Sequence, residues 1–271
     1  MALDEVAARG LVLLGCGKMG SALLKGWLDR GLPPGAVHVI EPRPTDWLTG
    51  TGVALNGPLP AAPAVALVAV KPQMMGEALP AMTSLGGGRT LVLSIAAGTP
   101  LSAFEAAFGT GTPVVRAMPN TPAAIGQGIT AIIGNGESSE AHMALAESLL
   151  SAVGEVVRLD REGQIDAVTG VSGSGPAYVF HLIETLAAAG EAEGLAPDLA
   201  LRLARATVAG AGALAQQTGT DPAQLRRDVT SPNGTTQAGL GVLMDEATGL
   251  GPLIRRTVRA AAGRSEELGR G

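Results

Sequence analysis

An apolar run, Leu11-Val12-Leu13-Leu14, leads directly into Gly15-Cys16-Gly17-Lys18-Met19-Gly20. A short apolar strand turning through Gly-x-Gly-x-x-Gly into a helix constrains the fold more than any other feature, because each glycine meets a different steric demand. Gly15 allows a tight turn. Gly17 has no Cβ, so backbone can approach a pyrophosphate. Gly20 lets the following helix pack close to the strand. The helix amino terminus then offers unpaired N–H groups and partial positive charge to phosphates. This chain has 39 glycines, so short glycine patterns also arise by chance, and a strand–helix turn without a ligand is the plainer alternative. The surroundings favour a nucleotide. Residues 21–30 read as helix and 37–40 as a second strand. Glu41 ends that strand roughly 20 residues past the last glycine, where an acid accepts hydrogen bonds from an adenosine ribose. The expected dinucleotide site therefore includes Gly15, Cys16, Gly17, Lys18, Met19, Gly20 and Glu41, with Cys16 a small filler of the turn rather than a nucleophile. Redox chemistry is the leading idea.

A length of 271 residues fits one large domain or two smaller ones. Hydrophobic residues are 46% but aromatics only 2%, so Ala, Val and Leu must fill the core. The net charge of −5 argues against a nucleic-acid surface, which needs clustered Lys and Arg. One cysteine excludes an intrachain disulfide and suits a reducing compartment. No basic segment precedes an apolar stretch at the amino terminus. The longest uncharged run, 47–70, is broken by glycines and prolines and does not resemble a membrane span. The expectation is a soluble, cytoplasmic protein with no membrane or nucleic-acid partner. No metal-ligand set is assigned.

The two halves differ in texture. Strand candidates at 11–14, 37–40, 65–70, 90–95, 113–117, 129–133 and 155–158 alternate with helical or loop stretches, which implies a mostly parallel sheet covered on both faces. From about residue 160 the chain is Ala/Leu-rich, with helices expected at 163–193, 197–218, 221–229, 235–246 and 250–268. Pro197 suits a helix start, and Gly194 and Gly219 suit helix ends. The expected organisation is a dinucleotide-binding domain at 1–160 and an all-helical domain at 161–271. Residues 199–215 are apolar nearly all round, and a helix with so little polar face needs covering on every side. A second subunit is the expected cover, because roughly 110 residues cannot easily supply it alone.

Four further segments carry chemistry. Residues 68–72 (Val-Ala-Val-Lys-Pro), 94–98 (Ser-Ile-Ala-Ala-Gly) and 118–122 (Met-Pro-Asn-Thr-Pro) each end a strand at its carboxyl edge, where ligands sit in open α/β sheets. Each alone is as readily a plain strand–loop junction; together they point to one cleft, with Asn120 carrying an amide side chain into it. Residues 170–178, Gly-Val-Ser-Gly-Ser-Gly-Pro-Ala-Tyr, place three glycines in a helical region, each costing about 1 kcal/mol relative to Ala. They must serve close approach of a helix or a ligand. Residues 230–236, Thr-Ser-Pro-Asn-Gly-Thr-Thr, form a hydroxyl-rich loop before another helix. Such a place binds a carboxylate through free N–H groups, although a Ser or Thr helix cap is the ordinary alternative.

These residues, spread across nearly the whole chain, resemble the pyrroline-5-carboxylate reductases: the 15–20 fingerprint, 70–72, 94–98, 116–122, 170–178 and 228–236. The resemblance implies an α/β architecture, an amino-terminal Rossmann domain followed by an all-α dimerisation domain, with dimers that in many members assemble into decamers. It implies NAD(P)H-dependent reduction of (S)-1-pyrroline-5-carboxylate to L-proline, the last step of proline biosynthesis. By the same resemblance Val70, Lys71, Pro72, Ala96 and Ala97 line the cofactor and Asn56 stands near its adenosine end. Ser231, Gly234, Thr235 and Thr236 hold the substrate carboxylate, with Thr236 near the ring nitrogen, so Ser231 and Thr236 are the catalytic candidates. Asn120 and Glu162 fall on the substrate side. One departure is visible: where the family reads Ser-Pro-Gly-Gly, position 233 is Asn, the residue after Gly most tolerant of left-handed backbone angles.

Cofactor choice stays open between Glu41, which would bond a ribose 2′-hydroxyl, and Arg43, which would receive a 2′-phosphate; the family implies NADPH with NADH accepted. Two rivals remain. A β-hydroxyacid-dehydrogenase-like enzyme would carry a catalytic lysine a turn past a glycine-rich segment, but residues 176–181 hold none, and His181 reads better as a packed helix residue than as a base. A non-catalytic NAD(P)-binding regulatory protein would have no use for the 231–236 hydroxyls.

Overall fold

The computed structural model describes residues 2–270. Two compact units arise from the chain, Met1–Gly173 with Ala261–Gly271, and Ser174–Ala260.

The first unit runs α1 (Ala2–Arg9), β1 (Leu11–Leu14), α2 (Lys18–Asp29), β2 (Val37–Ile40), α3 (Asp46–Thr49), β3 (Ala54–Leu55), β4 (Val65–Val68), α4 (Met75–Ala78), β5 (Leu91–Ser94), α5 (Leu101–Phe108), β6 (Val114–Met118), β7 (Gly128–Gly134), α6 (Glu140–Leu150), β8 (Gly154–Arg158) and α7 (Gln164–Val168). The eight strands form one sheet in the order β3-β2-β1-β4-β5-β6-β7-β8. All pairs are parallel except β6 with β7. The order reverses between β1 and β4, which makes their carboxyl ends the switch point where doubly wound sheets bind ligands.

Period-two alternation divides the core between the two faces of the sheet. Leu11 and Leu13 of β1 pack with Trp27, Leu23 and Leu149 on one face. Val12 and Leu14 pack with Phe104, Phe108 and Met82 on the other. All four residues of β1, β4 and β5 are buried, as a doubly covered sheet requires. Trp27 donates its indole N–H to the Leu149 carbonyl at 2.8 Å, so the largest core side chain leaves no polar atom unpaired. The two-residue β3 lies in the glycine- and proline-broken stretch, where the sequence shows no strand signal.

The second unit holds α8 (Gly175–Ala192), α9 (Pro197–Thr218), α10 (Pro222–Asp228) and α11 (Thr235–Leu243), followed by α12 (Leu250–Arg270), whose last residues count with the first unit. Pro197 opens α9, and Gly194 and Gly219 end helices at φ of +93° and +61°, as expected from the sequence. The helix expected at 163–193 is divided instead. α7 passes into a π-helical turn over Thr169–Gly173 before α8 begins, because glycines and Pro176 interrupt the regular ladder there. α8 and α9 pack through small residues: a Cβ on Gly190 would lie 3.4 Å from that of Ala200. Their buried core is only Ala187, Ala200 and Ala204. Leu199, Leu203 and Leu214 of α9 stay 45%, 48% and 51% exposed in the single chain.

Candidate active site

The three fingerprint glycines have three different environments. Gly15 has φ +88°, and a Cβ on it would lie 2.9 Å from Val70 Cγ1. A Cβ on Gly20 would lie 2.5 Å from the Gly15 carbonyl oxygen, so α2 seats against the turn only because position 20 has no side chain. Gly17, the residue before α2, faces open space, with nothing within 4 Å of where a Cβ would be. No side chain caps α2, so its first N–H groups, at Lys18 and Met19, are free for an anion. This cradle fits a dinucleotide pyrophosphate.

Cys16 contributes otherwise. Its N–H donates to Glu41 Oε2 at 2.9 Å and not outward. The buried thiol is pushed up to about 11 by burial and by the adjacent Glu41 carboxylate, so it stays protonated and non-nucleophilic at neutral pH. Glu41 Oε1 accepts from the Arg43 N–H at 3.0 Å. Asn56 holds the same strand end from the other side. Its Oδ1 accepts from the Glu41 N–H and its Nδ2 donates to the Glu41 carbonyl, each at 2.9 Å. It does so from a left-handed backbone, φ +52°.

Strand order sets the remaining rim residues along one edge. β4 and β5 flank each other in register, Val68 beside Ser94, and β5 flanks β6, Ser94 beside Arg116. The segments after them, Val70-Lys71-Pro72, Ala96-Ala97 and the loop at Asn120, therefore follow Gly15–Gly20 along the carboxyl edge. Lys71, Pro72 and Ala97 are exposed, while Ala96 is buried and its N–H donates to Ser94 Oγ at 3.2 Å.

Two substrate-side candidates are engaged within this unit. Asn120 is buried, and its Oδ1 accepts the Ile129 N–H at 3.0 Å, tying the rim loop to β7. Glu162 Oε1 accepts from Arg116 Nη1 at 2.7 Å and from the Leu101 N–H, the first of α5, at 2.8 Å. The buried Arg116 is thereby paired. Sequence motifs gave no sign of this pairing, because the partners are 46 residues apart. In the 170–178 segment, the close approach demanded at Gly173 is to Met118 at the end of β6, whose Cε would lie 2.6 Å from a Cβ there.

The second unit carries the hydroxyl loop. Asn233 has φ +58°, the left-handed conformation for which Asn substitutes for Gly. Its N–H donates to Gln237 Oε1 at 2.5 Å. Gln237, in the first turn of α11, thus reaches back to the residue before Gly234 and leaves the helix's own first N–H groups without a side-chain partner, a contact that no local motif announces. Gly234 N–H donates to the Ser231 carbonyl at 3.1 Å, which closes the turn. Gly234 is the residue before α11, and no side chain caps that helix. Ser231, Thr235 and Thr236 are exposed and are not consumed as caps, which removes the ordinary structural explanation for them. A hollow of about 340 Å³ beside the loop is lined by residues including Arg226, Arg227, Thr230 and Gln237.

Comparison with known proteins adds to this geometry. Residues 162–268 match the family described as pyrroline-5-carboxylate reductase dimerisation, and residues 10–98 match NADP oxidoreductase coenzyme F420-dependent. A pyrroline-5-carboxylate reductase of Pseudomonas aeruginosa is 40% identical over 264 residues, covering 95% of this chain and 96% of its own length. One from Synechocystis sp. is 47% identical over 206 residues, 76% of this chain and 75% of its own. The solved structure of a pyrroline-5-carboxylate reductase from Coxiella burnetii has a TM-score of 0.88 at 33% identity, covering 96% of this chain and 98% of its own. Plasmodium falciparum pyrroline carboxylate reductase, solved with NADP bound, has a TM-score of 0.81 at 26% identity over 96% of this chain and 98% of its own.

Proposed function

The chain belongs to the pyrroline-5-carboxylate reductase family, and from that premise we propose that it reduces (S)-1-pyrroline-5-carboxylate to L-proline with NAD(P)H, the last step of proline biosynthesis. One observation carries the reading beyond kinship. A single chain holds both a glycine turn shaped for a pyrophosphate and an uncapped helix start that displays hydroxyls with no structural duty.

When bound, the reduced nicotinamide supplies a hydride to the imine carbon. The protein need supply no nucleophile; its task is orientation. In this reading Gly15, Gly17 and Gly20 shape the pyrophosphate cradle, with Lys18 and Met19 N–H groups facing it. Cys16 holds Glu41, and Glu41, Arg43 and Asn56 surround the adenosine ribose. Val70, Lys71, Pro72, Ala96 and Ala97 line the nicotinamide end. Ser231, Gly234 and Thr235 hold the substrate carboxylate at the start of α11, and Thr236 hydrogen-bonds the ring nitrogen, directly or through water. Asn120 and Glu162 act as positioning residues, because their acceptor atoms already hold the rim.

The domain division we propose is nucleotide binding in 1–160, and substrate binding with dimerisation in 161–271. The exposed leucines of α9 call for a second copy of the chain as cover, with decamers built from such dimers as the finer proposal. A cytoplasmic location accords with the single free thiol. Among the described residues no helix is long and apolar enough to cross a membrane.

The deciding experiment adds pyrroline-5-carboxylate to the purified protein with NAD(P)H and follows loss of nicotinamide absorbance and formation of proline. No oxidation with either cofactor refutes the reductase reading. Nucleotide binding without turnover would favour the regulatory alternative.

A further inference from the structure

We propose that Glu41 is a specificity-determining residue that makes NADH the better of the two accepted cofactors. The inference rests on the reductase reading and deepens it at the adenosine end. Sequence left Glu41 and Arg43 as equal candidates for facing the ribose. The geometry separates them. The Glu41 carboxylate is fixed by two backbone donors, Cys16 N–H at 2.9 Å and Arg43 N–H at 3.0 Å. Its backbone is fixed again by the two-point pairing with Asn56. The first of these donors lies inside the glycine turn itself, so the negative charge is anchored beside the cradle that receives the nucleotide. A 2′-phosphate beside the carboxylate meets a negative charge that two N–H groups hold in place. A ribose 2′-hydroxyl meets no such repulsion, and each carboxylate oxygen keeps a free lone pair to accept from it.

Arg43 has the opposite character. Its backbone N–H is committed to Glu41, while its side chain, between Pro42 and Pro44, is exposed. A solvated, unrestrained guanidinium offsets a phosphate charge only weakly. It keeps NADPH acceptable without making it preferred. The discriminating element is therefore the anchored anion, and the discrimination is electrostatic.

Three properties follow. Wild-type protein favours NADH by about tenfold or more in kcat/KM at low ionic strength, a factor equal to about 1.4 kcal/mol. The preference falls as salt is raised, because the repulsion involves a half-exposed charge. It sits in cofactor affinity, since the ribose is remote from the reacting carbon.

The test measures Kd for NAD+ and NADP+ by calorimetry, together with kcat/KM for NADH and NADPH, on wild type, Glu41→Gln and Glu41→Asp. Expected are tighter NAD+ binding by wild type and collapse of the ratio to about threefold or less in Glu41→Gln. Glu41→Asp should keep the preference, because charge decides it. A thermal melt checks each variant's fold, and the salt dependence of the wild-type ratio tests the idea without any variant. Tighter NADP+ binding by wild type, an unchanged ratio in folded Glu41→Gln, or a salt-independent ratio would overturn the proposal and leave the reductase reading standing. Binding of neither nucleotide would overturn both.

Discussion

The fingerprint glycines allow stability and cofactor binding to be separated by single methyl groups. In Gly20→Ala the new Cβ would start 2.5 Å from the Gly15 carbonyl oxygen, about 0.8–1 Å inside an ordinary carbon–oxygen contact. The obstacle is backbone, so α2 must move. Overpacking of this kind costs about 1–3 kcal/mol, and a rigid obstacle puts it at the upper end. Replacing a helical Gly by Ala returns about 1 kcal/mol. The net loss is about 2 kcal/mol, or a fall in Tm of about 4–8 °C for a domain of this size. Gly17→Ala meets nothing within 4 Å, and its φ of −70° suits Ala. The reduced freedom of the unfolded chain, about 0.4–1 kcal/mol, offsets the poorer capping preference of Ala. Its Tm should stay within about 2 °C of wild type. In the proposed cradle the methyl would stand where the pyrophosphate approaches, so Kd for the nucleotide should rise about 30-fold or more, roughly 2 kcal/mol. Differential scanning calorimetry of the nucleotide-free protein and titration with NAD+ measure both quantities. Equal Tm losses in the two variants, or unaltered affinity in Gly17→Ala, would refute the assignment of separate roles.

Thr236→Ala should lower turnover strongly while NAD(P)H affinity stays at the wild-type value; unchanged kcat in a steady-state assay removes Thr236 from the chemistry. Glu162→Ala strips the buried Arg116 of its ion partner and the Leu101 N–H of its acceptor. Because Glu162 is one-third exposed, the expected loss is about 2 kcal/mol. A urea midpoint matching wild type would contradict this. For Cys16, the folded pKa of about 11 lies above its ordinary 9.0. A raised pKa means that stability is complete below about pH 9 and declines as pH rises toward 11. Urea midpoints across that window should therefore fall more steeply in wild type than in Cys16→Ala, and parallel profiles would contradict the assignment.

Much of the fold was legible because two signals are local. Short apolar runs with turn residues between them marked seven of the strands to within two residues, and Gly194, Pro197 and Gly219 bounded the helices of the second unit. What escaped depends on partners far along the chain. β3 is two residues paired to β2, and nothing in Ala54-Leu55 announces that pairing. The single helix expected at 163–193 is divided because its glycines and Pro176 outweigh the helical composition around them. At Gly173, closeness to Met118 makes the missing side chain necessary. Asn233 is the contrary case. The sequence identified it as the one departure from the family loop, its tolerance of positive φ was inferable, and the structure shows that conformation.

The candidate site shows the same division more sharply. Sequence reasoning treats a polar residue on a strand rim as a donor or acceptor awaiting a ligand. Backbone N–H groups exposed by the same rim compete for it, and each needs a partner when water is excluded. At Glu41, Asn120 and Glu162 the backbone is the partner observed, through Cys16 and Arg43, Ile129 and Leu101 respectively. At Ser231, Thr235 and Thr236 the helix start is uncapped and the hydroxyls stay exposed. The two groups should therefore behave differently on mutation. Residues whose acceptors hold backbone couple any loss of binding to a loss of stability, whereas the hydroxyls of the 231–236 loop can be removed at little cost to the fold. That asymmetry separates a side chain that shapes a site from one that meets its ligand, and it depends on hydrogen-bond partners that a linear sequence does not record.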